Sequence, residues 1–113
     1  MNGEIPSPLF ILEMANNHMG SVDHGLRIIN EAAESLRGLP YRVAIKFQYR
    51  DIDTFIHPAY RARFDVKHIK RFIETRLTEA DFRRLKSAAE EHSFLTACTP
   101  FDERSVDRIG TQG

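Results

Sequence analysis

Residues 41–49 read YRVAIKFQY. In an extended chain successive side chains point to opposite faces. Tyr41, Val43, Ile45, Phe47 and Tyr49 therefore fall on one side, and Arg42, Ala44, Lys46 and Gln48 on the other. One face is continuously apolar, while the other turns polar toward its C-terminal end. A segment of this kind fits a central strand whose apolar face is covered by helices.

Upstream, Leu9 to Ala15 form a first strand, with Pro6 and Pro8 outside the sheet, where proline is tolerated. This strand carries a carboxylate, Glu13, two residues after Ile11 on the same side, and then runs into Asn16, Asn17 and His18. Between the two strands the period changes. Val22, Leu26, Ile29, Ala33 and Leu36 recur at spacings of four, three, four and three, which lines them along one helical stripe. Ser21 can cap that helix, Asp23 suits its first turn, and Gly38 with Pro40 stops it.

Downstream, Thr78 and Asp81 have the spacing of a capping box, with Leu77 and Phe82 at the staple positions, for a helix running through Leu85 and Ala89 to about Glu91. FLTACTP, from Phe94 to Pro100, is a third strand, and Asp102 can cap a further helix carrying Val106 and Ile109. Strands alternating with helices indicate parallel pairing through helical crossovers, an α/β class. The long connection from Arg50 to Arg76 is the exception. Phe64, Val66, Ile69 and Ile73 predict one short helix within it, and its seven Lys or Arg against four Asp or Glu can attract an anion.

The 113 residues are 42% apolar, with 16 basic and 16 acidic side chains. That balance, with no basic block longer than two residues, gives no footprint for nucleic acid. The apolar runs are too short for a membrane span, and the N-terminus lacks the features of a secretory signal, so a cytoplasmic protein is expected. The single cysteine, Cys98, excludes an internal disulfide and reads as a small apolar residue within a strand.

The polar groups collect at one end of the strands: Glu13 on the first, Lys46 and Gln48 on the second, Thr99 on the third. In a barrel of parallel strands, inward positions at the C-terminal rim line the pocket. An isolated buried ammonium or carboxylate costs several kcal/mol, so these groups need partners, a ligand or water. Glu13 and Lys46 can also be read as a mutual structural ion pair. His18, His57, His68 and His92 have no second ligand at a metal-binding spacing.

FILEMANNHMGS (10–21), AIKFQ (44–48) and CTPFD (98–102), in this order, resemble the N-terminal domain of the sialic acid synthase family. That family includes the N-acetylneuraminate, legionaminate and pseudaminate synthases. The resemblance covers nearly the whole chain, so residues 1–113 are expected to form the N-terminal portion, about three βα units, of a (β/α)8 TIM barrel. It implies condensation of phosphoenolpyruvate with an N-acylated amino sugar, releasing phosphate, in a homodimer when full-length. A divalent metal, manganese or magnesium, is implied, its ligands lying outside this chain. By motif position, Lys46 and Thr99 would contact phosphoenolpyruvate and Glu13 the sugar, with Asn17, His18 and Gln48 supporting them at the rim. No catalytic residue is assigned here.

The family's phosphoenolpyruvate-binding asparagine has no counterpart between Arg50 and Arg76, and Met14 and Ala15 replace the usual aliphatic residue and glycine. A complete barrel needs about 250 residues. This chain is therefore expected to be a fragment, inactive alone, with sheet edges and one sheet face uncovered. Two alternatives remain from the residues: a Schiff-base barrel aldolase acting through Lys46, and a catalytically inert fragment.

Overall fold

The computed structural model describes residues 8–112, so Pro6 and Gly113 lie outside the described residues. The elements are β1 (Leu9–Glu13), α1 (Val22–Ser35), β2 (Arg42–Tyr49), α2 (Ile52–Phe55), a 3-10 turn (Pro58–Tyr60), α3 (Lys67–Glu74), α4 (Glu79–Glu91), β3 (Leu95–Pro100) and α5 (Glu103–Gln112). The strands form one parallel sheet in the order β1-β2-β3, with β2 central. Among the described residues the outer flanks of β1 and β3 pair with nothing.

The alternation along β2 divides the sheet into two faces. Val43, Ile45, Phe47 and Tyr49 are buried in a core with Ile29 of α1 and Leu85 of α4, both fully buried. The predicted α1 stripe packs there, and Ser21 Oγ accepts the His24 N–H at 3.2 Å to cap the helix. The capping box of α4 is present, with Thr78 and Asp81 exchanging hydrogen bonds. On the other face the register places Leu9 and Ile11 beside Arg42 and Ala44, and Leu95 beside Ala44. These three side chains are about half exposed, at 45, 57 and 46%.

Three local expectations are corrected. The first strand ends at Glu13 rather than Ala15, because Ala15 adopts φ +46 and turns the chain out of the ladder. Tyr41 precedes β2, is 47% exposed, and sets its ring edge-on to Phe10 instead of joining the core. In the long connection Phe64 lies ahead of α3 and is exposed, while α2 and the 3-10 turn are additional. Elements of three or four residues are too short for periodicity to register.

A buried carboxylate ties that connection to α5. Asp51 is 2% exposed and accepts from Thr54 Oγ1 at 2.7 Å and from Arg108 at 3.2 Å. Its backbone N–H donates to Asp102 Oδ2 at 2.7 Å, while Asp102 Oδ1 accepts the Ser105 N–H at 2.7 Å and so caps α5 as expected. Burial alone would raise the Asp102 carboxyl, but the backbone donors of Asp51 and Ser105 outweigh it and hold it below its usual value.

The turn from β1 into α1 is packed tightly. Gly20 has φ +75, and a Cβ there would lie 2.6 Å from the carbonyl oxygen of Glu74, so no other residue fits without a shift. His18, beside it, is 1% exposed with its ring edge-on to Phe82. Burial, helped by His24, pushes its pKa from 6.5 down to about 4, so the ring is neutral at physiological pH.

Two predictions follow from this packing. Asp102→Ala removes a helix cap and the tie to Asp51, and should lower stability by about 1–3 kcal/mol, read from the urea midpoint. The unfolded chain protonates His18 near 6.5 and the folded chain only near 4, so stability should fall as pH drops through that window. His18→Gln should flatten this part of the stability–pH curve.

Candidate functional site

The end of the first strand and the end of the second meet because β1 and β2 are parallel and in register, with Glu13 opposite Lys46. Both side chains therefore stand on the face turned away from the helices. Lys46 Nζ lies 3.7 Å from Glu13 Oε1, and the two side chains remain 38 and 42% exposed. Gln48, two residues on, donates from Nε2 to the same Glu13 oxygen at 3.2 Å. Thr99 of β3 is the register partner of Gln48 and shares its face. Four of the six expected residues thus form one row across the C-terminal ends of three strands.

The other two do not join it. Asn17 is exposed in the turn after β1, a turn bracketed by left-handed Ala15 and Met19. His18, expected at the rim, lies inside the fold, behind the row. Its Nδ1 accepts the Gly20 N–H at 3.0 Å.

Arg50 extends the row and was not singled out from the sequence. Its guanidinium lies 4.4 Å from the ring centre of Phe72 and 4.0 Å from that of Phe101, and donates to Gln48 Oε1 at 3.0 Å. Positions 46, 48 and 50 share one parity, so the alternation carried this signal. The aromatic partners come from α3 and from the residue after β3, which periodicity cannot bring together.

An exposed ion pair contributes about 0–1 kcal/mol. The Glu13–Lys46 pair is long and half open to solvent, so it adds little to stability. What the row offers is chemistry: an ammonium for an anion, a carboxylate whose Oε1 takes both described contacts while Oε2 is open to a hydroxyl, and a fixed amide. Cys98 adds no nucleophile, since burial pushes its thiol up to about 12. Among the described residues no cluster of three His, Cys, Asp or Glu is set to hold a metal. A concavity of about 490 Å³ lies at the opposite end of the strands, beside Tyr41, Arg42 and Leu95, and none of the row lines it. No helix among the described residues is long and apolar enough to cross a membrane.

Comparison with known proteins bears on this arrangement. The chain is 49% identical to the protein named spore coat polysaccharide biosynthesis protein E of Chromobacterium violaceum, whose crystal structure it matches with a TM-score of 0.90 over 94% of this chain. It is 26% identical to the N-acetylneuraminic acid synthetase of Leptospira borgpetersenii serovar Hardjo-bovis, solved with citrate, with a TM-score of 0.70 over 96% of this chain. It covers 32 and 34% of those two chains, about a third of their length. No curated protein matches. The three-stranded unit corresponds to the N-terminal portion of a sialic acid synthase barrel. With the NeuB family model matching residues 29–113 as well, the chain belongs to the NeuB family.

Proposed function

We propose that this chain supplies part of the active site of a sialic-acid-synthase-like transferase. In the reaction, carbon 3 of phosphoenolpyruvate attacks the aldehyde of an open-chain N-acylated amino sugar of the N-acetylmannosamine type. Water adds at carbon 2 and its proton goes to the former aldehyde oxygen, the bond from carbon 2 to the ester oxygen breaks, inorganic phosphate leaves, and a nonulosonate results. The observation that carries this reading is the single solvent-open row of Glu13, Lys46 and Gln48 at the strand ends.

Lys46 is a point charge for the phosphate or carboxylate of phosphoenolpyruvate, and its contact with Glu13 is weak at 3.7 Å. Thr99, on the same face one strand over, adds a hydroxyl donor. Glu13 presents its open oxygen to a sugar hydroxyl while Gln48 and Lys46 hold the other. Asn17, exposed in the turn after β1, and His18, buried behind the row, would support it without being part of it. A divalent cation, where the reaction uses one, would take its ligands from outside this chain.

Phosphate release from phosphoenolpyruvate with N-acetylmannosamine and related sugars, manganese present, tests the reading on the full-length protein. Release is expected with at least one sugar, and none with any of them would overturn it. The 113-residue segment alone should release none. Lys46→Ala should lower kcat/KM by about 10²–10³-fold, the usual loss for removing one preorganised charge contact. Glu13→Gln should act mainly on the sugar's KM. Borohydride with pyruvate should not label Lys46, as it would label a Schiff-base lysine.

A further inference from the structure

Behind the polar row is a cavity of about 20 Å³ lined by Asn16, His18, Gln48, Arg50, Thr75 and Phe82, among others. Two buried polar atoms of that lining have no hydrogen-bond partner among the described residues: His18 Nε2 and Arg50 Nε. The protonation of each follows from its surroundings. His18 Nδ1 accepts the Gly20 N–H, so it carries no proton, and in the neutral ring the proton must sit on Nε2. Arg50 Nε is a donor at every accessible pH. Both donors thus lack an acceptor among the described residues, and both residues line one small space.

A buried donor without an acceptor carries an uncompensated desolvation penalty. A single water needs roughly 10–15 Å³ and two to four polar partners. The space is large enough, and Asn16 and Thr75 carry oxygens that can take the water's own hydrogens. The geometry points to one ordered water that accepts from His18 Nε2–H and Arg50 Nε–H, making His18 and Arg50 a positioning unit for the Gln48 amide.

The consequence runs outward to the site. Phe72 and Phe101 hold the guanidinium by its faces, the water holds Nε, and the terminal nitrogen donates to Gln48 Oε1. With its oxygen committed, the Gln48 amide must turn its NH2 to Glu13 Oε1, where it is found. A flipped amide would set two donors against each other at Arg50 and two acceptors at Glu13. Neither His18 nor Arg50 need touch a ligand for this, so the inference stands apart from the proposed reaction.

Three measurements that need no turnover test it. A high-resolution crystal structure should show one water within hydrogen-bond distance of both atoms; an empty or collapsed cavity would overturn the proposal. Long-range proton–nitrogen NMR of the ring should find His18 as the Nε2–H tautomer at neutral pH, and the Nδ1–H tautomer or an imidazolium would sink it. Arg50→Lys keeps the charge but loses the fork, and should speed solvent exchange of the Gln48 side-chain NH2 about tenfold, the loss of one charge-assisted hydrogen bond. His18→Phe should do the same in part and His18→Gln, which restores a donor, should not. Unchanged exchange in Arg50→Lys would remove the positioning role.

Discussion

The parallel register of β1 on β2 is the constraint from which the rest follows. Pairing Glu13 with Lys46 puts both on one face, and a slip of one residue would send the acid under the helices. The register is held by burial on the far side: Val43, Ile45, Phe47 and Tyr49 can be covered by α1 and α4 in one alignment only. Apolar packing on one surface thereby places polar chemistry on the other. The charges that meet there do not have to attract each other strongly to be found together.

Two groups of polar residues then do different work. Asp51 and Asp102 join the long connection to α5, each carboxylate accepting from one donor of its own segment and one of the opposite segment. That arrangement holds the end of β2 and the start of α5 at a fixed separation, and Arg50 and Phe101 lie at those two points. His18 and Arg50 form the second group, left with donors to spare where the first has none. One group is structural and the other faces the site.

Much of this was legible in the sequence. The strands, α1 and α4 are each specified by local signals, a period of 2 or 3.6 with caps at the proper spacing, and the structure keeps all of them. The row of Glu13, Lys46, Gln48 and Thr99 followed from strand parity combined with parallel pairing. What parity does not encode is depth. His18 looked like a rim residue because it follows Asn16 and Asn17, yet the left-handed Ala15 and Met19 fold it back against Phe82. Ala15 stands where the family usually has glycine, and a residue with a Cβ in that conformation costs about 1–2 kcal/mol. The Arg50 clamp was missed because its partners come from three separate elements, and only tertiary structure brings Phe55, Phe72 and Phe101 to one guanidinium.

The outer flanks of β1 and β3, together with the half-exposed Leu9, Ile11 and Leu95, set a kinetic problem for the nascent polypeptide. An open row of N–H and C=O groups beside apolar side chains is a template for any extended strand that arrives first. Correct closure competes with pairing between copies, and the competition shifts against closure as concentration rises. Among the described residues nothing covers those flanks, so dilution or a holding chaperone should favour closure over pairing between copies.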